Sequence, residues 1–139
     1  MNALVLENQS EDVIYALGAS PHFATDKLCY AARQSGLWLS RDGGHLWHSA
    51  FASLDMPSLP SATAVAVASD STLLVGVPGG LLTSTDGGES WMTSVLPTPS
   101  PFITTISVSP DYPQDGVALA GSMEDGIFVS EDRGKTWNA

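Results

Sequence analysis

The sequence predicts an all-β chain, a β-propeller segment of three four-stranded antiparallel blades, and three observations lead there. A motif of serine, aspartate, glycine and tryptophan occurs three times; four short β runs broken by turn residues surround each copy; and no segment keeps helical periodicity beyond a turn or two. The copies are Ser40, Asp42, Gly44, Trp47; Ser84, Asp86, Gly88, Trp91; and Ser130, Asp132, Gly134, Trp137, a template SxDxGxxW. Their aspartates lie 44 and 46 residues apart, from positions 42, 86 and 132, the spacing of propeller blades at about 40–50 residues.

The flanks repeat as well. "SPHFATDKLCYAA" precedes the first motif and "SPDYPQDGVALAG" the third, while the middle copy has the shorter link "ASDSTLLVG". The predicted strands are "DVIYALGA", "KLCYAAR", "GLWLSR" and "HLWHSA" in blade 1 (about 11–51), "ATAVAVAS", "STLLVGV", "GLLTST" and "ESWMTSVL" in blade 2 (about 61–96), and "FITTISVS", "GVALAGS", "GIFVSE" and "KTWNA" in blade 3 (about 102–139). First strands are rich in small residues, whereas later strands carry Trp38, Trp47, Trp91, Phe128 and Trp137. That gradient suits blades that crowd at an axis and spread at a rim.

The motif has a physical reading. A tight link between third and fourth strands needs a residue tolerant of φ > 0, hence glycine, and a short carboxylate to accept bonds from turn N–H groups. Asp42, Asp86 and Asp132 supply the acceptor; the serine adds a side-chain bond, and the Trp packs over the turn. Arg133 replaces the first glycine in unit three, so Gly44, Gly88 and Gly134 are the expected sites of positive φ.

SxDxGxxW at blade spacing resembles the Asp-box, or BNR, repeat of sialidases, xyloglucan-cleaving glycoside hydrolases, sortilin-type receptors and photosystem II assembly propellers. The resemblance spans all three units. It implies that the box is a structural turn far from the ligand face, and that a site, where one exists, lies on the opposite end of the blades.

Composition narrows the function classes. The chain has 139 residues and 14.5 kDa, one domain's worth; its 43% hydrophobic and 14% charged residues argue against disorder. No run approaches the roughly 18 apolar residues of a spanning helix, and no signal peptide is visible, so the chain as written reads as cytoplasmic, or secreted if its start was trimmed. Fifteen acids against five bases leave a net charge of −10 that repels phosphate backbones, against a nucleic-acid partner. The lone Cys29 reads as a buried thiol, and no cofactor is implied. His45 and His48, at i and i+3 in a predicted strand, point to opposite faces and cannot share a metal; no metal site is expected.

Antiparallel connectivity sorts the acids by end. Asp26, Asp42, Asp70, Asp86, Glu89, Asp111, Asp115, Glu131 and Asp132 belong with the boxes; Glu11, Asp12, Asp55, Glu124 and Asp125 belong opposite, with Glu7 in the amino-terminal segment. Sialidases of the resembled family hold their substrate with three arginines, whereas the opposite end here has only Arg33, and no FRIP-like sequence occurs. A glycosidase needing two carboxylates about 5–10 Å apart is the alternative, drawing on Asp12, Asp55, Glu124 and Asp125. The preferred expectation is a non-catalytic scaffold for a protein or carbohydrate ligand, with Arg33, Met56, Leu59, Met123, Glu124 and Asp125 as its contact surface.

Three blades are too few for a closed ring of roughly four to eight. Two bare flanks would invite aggregation, so a homodimer closing into six blades is the simplest expectation, with an open fragment of a longer protein and a half-propeller completed by a different chain as its competitors. Residues 1–10 are assigned there as an outer strand lying beside the short last strand of the other half.

Overall fold

The computed structural model describes Val5–Leu6 and residues 12–139. Blade 1 contains β1 (Val5–Leu6), β2 (Ile14–Ala19), the single-turn α1 (Phe23–Asp26), β3 (Cys29–Arg33), β4 (Gly36–Ser40) and β5 (Trp47–Ser49), hydrogen-bonded in the order β1-β5-β4-β3-β2. Blade 2 is the meander β6 (Ala64–Val67), β7 (Leu73–Val77), β8 (Gly80–Ser84) and β9 (Met92–Thr93). Blade 3 contains β10 (Ile103–Val108), the single-turn α2 (Tyr112–Asp115), β11 (Ala118–Ser122) and β12 (Ile127–Ser130). All pairings between these strands are antiparallel.

The two longer links are one-turn helices where the sequence shows only loops. Each is closed by a left-handed residue, Lys27 (φ 56) or Gly116 (φ 61), whose N–H returns to the carbonyl of Phe23 or Tyr112. The shorter link of blade 2 turns through Ser71 at φ 71. Blades 1 and 3 also share a register shift at the same place, between Ile14 and Ala16 and between Ile103 and Thr105.

Two expectations at the rim are corrected. The fourth strand of blade 3 is reduced to a bridge, Val129 with Asn138, and Val95 from the link out of blade 2 joins it in parallel beside Thr136. The amino-terminal segment was assigned to the last strand of another half; Val5–Leu6 instead pairs with His48 and Trp47 of its own blade. The other residues of 1–10, and Glu11, lie outside the described residues.

Strand alternation gives each blade two apolar faces, and the core consists of seams between them. Tyr30, Ala32, Leu37 and Leu39 of blade 1 pack with Phe51 against Val65, Leu73, Val75 and Val77 of blade 2. Ala64, Leu74 and Leu81, on the other face of blade 2, pack against Ile106, Tyr112, Ala118, Ala120, Phe128 and Trp137 of blade 3. Small residues set the spacing: a Cβ on Gly76 would stand 2.8 Å from Thr63 Oγ1 and 2.9 Å from Ile103 Cβ. Leu74→Ala, emptying a wholly buried site in the second seam, is expected to lower stability by about 2–5 kcal/mol. A urea titration checks it as a reduced midpoint at unchanged slope.

Candidate functional site

The links β2–β3, β6–β7 and β10–β11 share one end of the blades with the three boxes; the hairpins β3–β4, β7–β8 and β11–β12 and the interblade links lie at the other. At the box end each serine hydroxyl donates to its aspartate and accepts from the backbone N–H four residues on. Ser40 Oγ lies 2.8 Å from Asp42 and from Gly44 N, Ser84 Oγ 2.8 Å from Asp86 and 2.9 Å from Gly88 N, and Ser130 Oγ 2.9 Å from Asp132 and Gly134 N. The aspartate then accepts the N–H groups that open the next strand: His45 and Leu46 on Asp42, Ser90 on Asp86, Lys135 and Thr136 on Asp132. Trp47 and Trp137 donate Nε1 to the carbonyls of Gly44 and Gly134, whereas Trp91 donates across the seam to Ala50. The donors to each aspartate, backbone N–H groups and hydroxyls, all come from its own turn, so the three aspartates staple hairpins.

These bonds favour the ionised carboxylate. Asp86 is drawn down to about 2 by the hydroxyl and N–H of Ser90 and by Ser84. Asp132 is likewise held at about 2, chiefly by Thr136. Asp42 is lowered through Leu46 N–H and Ser40.

The glycine expectation is widened. Gly44, Gly88 and Gly134 have φ of 102°, 94° and 81°, and the preceding position is left-handed too: Gly43 at 78°, Gly87 at 74° and Arg133 at 66°. A non-glycine residue there costs about 1 kcal/mol. Arg133 offsets it with bonds to Asp70 at 2.9 Å and the Pro113 carbonyl at 2.8 Å, its guanidinium 5.4 Å from the Tyr112 ring centre. This clasp between blades 2 and 3 has no signature in the sequence beyond the irregular motif.

The opposite end separates the six proposed contact residues. Met123, Glu124 and Asp125 stay together and exposed, lining with Ser100 and Phe102 a groove of about 200 Å³. The loop holds its shape through Ser122, which receives Asp125 N–H and donates to the Gly126 carbonyl, while Met123 N–H bonds the Phe102 carbonyl. Phe102, 38% exposed, was missed because it reads as the start of a buried strand. Met56 is exposed on the link between blades 1 and 2, and Leu59 packs against the first seam; neither lines this groove.

Arg33 is corrected outright. It is 2% exposed, its guanidinium lying 5.8 Å and 5.2 Å from the Trp38 and Trp47 ring centres and 3.7 Å from Asp12. It braces the blade and offers no contact surface. Asp12 is bound to Ser35 through that residue's N–H and hydroxyl, and Asp55 does not line the groove. Of the four candidate catalytic carboxylates, Glu124 and Asp125 are thus the pair that shares a groove. Among the described residues no three His, Cys, Asp or Glu side chains gather in a metal-binding arrangement, and no helix is long and apolar enough to cross a membrane.

The BNR/Asp-box repeat matches residues 128–139, the third box with its preceding strand. The chain carries an Asp-box repeat at residues 128–139 on a β-propeller fold. Among solved structures, it resembles YCF48 bound to D1 peptide at TM-score 0.72 and 22% identity, covering 100% of this chain and 44% of that one. YCF48 from Cyanidioschyzon merolae matches at TM-score 0.70 and 23% identity, covering 100% and 40%. An ancestral GH74 enzyme matches at TM-score 0.70 and 16% identity, covering 99% and 19%. The chain therefore spans less than half the length of each of these structures. No curated protein sequence matches it.

Two measurements test the box chemistry. Because the folded pKa values of Asp86 and Asp132 lie near 2, below the ordinary 3.8, their contribution is complete above pH 3.8 and is lost as pH falls toward 2. Thermal unfolding should lose midpoint across that window, and a variant combining Asp86→Asn with Asp132→Asn should start lower at neutral pH and fall less steeply. Ser130→Ala, which orphans the Gly134 N–H at a fully buried position, is expected to cost about 1–3 kcal/mol, read by denaturant titration.

Proposed function

We propose that this chain is a non-catalytic scaffold that binds a protein ligand on the end opposite its Asp boxes, within a ring completed by a second copy. The groove of Ser100, Phe102, Met123, Glu124 and Asp125 carries this reading. An adaptable thioether, 66% exposed, and an aromatic edge stand beside two carboxylates. That combination fits an extended segment with apolar and basic side chains: Met accommodates varied shapes, and the acids attract cations. The net charge of −10 adds long-range attraction for the same class of ligand. The structural likeness to YCF48 bound to D1 peptide supports peptide binding over carbohydrate.

The likeness to GH74 enzymes keeps a glycosidase as the second reading, with Glu124 and Asp125 as its carboxylates. One set of experiments separates the two. Titration of basic, apolar peptides followed by fluorescence polarisation should detect binding that salt weakens, with Glu124→Gln combined with Asp125→Asn reducing affinity about tenfold. Xyloglucan oligosaccharides should show no turnover. Turnover abolished by either single substitution would overturn the scaffold reading.

A further inference from the structure

The repeat lets the two bare flanks be compared with seams the chain already contains. On blade 3 the uncovered face bears Leu119 and Ile127, exposed by 45% and 65%. By strand register they stand where Leu74 and Leu81 stand in blade 2, and where Tyr30 and Leu37 stand in blade 1. Those four are 4% exposed or less, because the next blade covers them. On the uncovered face of blade 1, Leu17 holds the place of Val65 and Ile106. It is 69% exposed against 7% and 9%.

The flanks also match in shape. At the seam of blades 2 and 3, Leu74 reaches the box glycine of blade 3, its Cδ2 only 3.3 Å from where a Gly134 Cβ would stand. The corresponding Gly44 of blade 1 meets only its own Trp47 there. Around it lies an apolar groove of about 420 Å³ lined by residues including Leu17, Phe23, Cys29, Gly44 and Trp47. Blade 1 thus has the socket that Leu74 fills in blade 3, and Leu119 is the matching knob.

Charge matches as well. Arg133 lies over Tyr112 and reaches Asp70 of the preceding blade. Blade 1 repeats the first half of this clasp with a different residue: Lys27 Nζ lies 5.5 Å from the centre of Phe23, the counterpart of Tyr112. Blade 3 repeats the second half, since Asp115 accepts the N–H of Val117 as Asp70 accepts that of Thr72.

We infer that the uncovered face of blade 3 docks head to tail on the uncovered face of blade 1 in a second copy, with Leu119 in the Gly44 groove and Asp115 against Lys27. Two such seams close a six-bladed ring. The inference rests on the second copy proposed above, and the two fail differently.

Leu17 and Leu119 are exposed in the single chain, so Leu17→Asp and Leu119→Asp should leave each blade folded, which circular dichroism verifies. Light scattering coupled to gel filtration should give wild type at about twice 14.5 kDa and each variant at 14.5 kDa. Cys29, the chain's one thiol, lines the groove; it should react with a thiol reagent about tenfold faster in Leu119→Asp than in wild type. Wild type that stays monomeric at every concentration overturns the second copy itself, leaving the flanks to further blades or another protein. A dimer that survives either substitution, or loses only one flank's contribution, overturns this seam while sparing dimerisation. A ladder of larger species overturns the six-bladed ring.

Discussion

A blade of this chain is a sheet with two apolar faces, and another blade is what covers each of them. Most of the molecule's organisation follows from that constraint. Leu37, Leu74, Val75, Leu81 and Phe128 reach zero exposure only because a neighbouring sheet lies against them, and burial of that kind contributes about 1.5–3 kcal/mol for each large side chain. Blade 2, flanked on both sides, has Ala64 and Val65 of its first strand β6 buried; β2, the matching first strand at an open flank, has no buried residue. The difference lies in position within the stack, since the two strands are comparably apolar.

Stacking demands sheets of nearly equal outline, and the box supplies it. By fixing where β4, β8 and β12 end and where the chain turns back, the serine–aspartate pair places a Trp at the same height on each rim. Trp91 uses that placement most directly: its indole bonds Ala50 and its ring meets Phe51 edge-on at 5.2 Å, tying the turn of one blade to the exit of another. Local hydrogen bonding and long-range packing are therefore coupled through a single side chain. Arg133 shows the same coupling by electrostatics, accepting left-handed backbone at the turn in return for a contact with Asp70 one blade away.

Much of this was legible in the sequence because its causes are local. The box and the strand periodicity depend on residues a few positions apart, so blade number, strand order and the structural role of Asp42, Asp86 and Asp132 could be read directly. What escaped reading depends on distant residues. Arg33 looks like a surface arginine beside a turn; only the convergence of Trp38, Trp47 and Asp12 shows it to be enclosed. Phe102 looks like the start of a buried strand, yet it is partly exposed, with the Met123 N–H bonded to its carbonyl. Lys27 and Gly116 close single-turn helices too short for periodicity to reveal. The candidate groove was therefore half visible: its acids and methionine stood out by composition, whereas its aromatic wall required the fold.

The two ends of the blades differ in how their acidic side chains are used. At the box end six aspartates are occupied: Asp26, Asp42, Asp70, Asp86, Asp115 and Asp132 each accept a backbone N–H as well as a side-chain donor. At the other end the Met123–Asp125 loop is shaped by Ser122 and Gly126, which leaves its side chains without a structural task. A loop whose form is set by its backbone can change its side chains without disturbing the blade beneath it. Selection for a ligand can act on Met123, Glu124 and Asp125 at small cost to the fold, whereas a change in a box turn reaches the seams through its Trp.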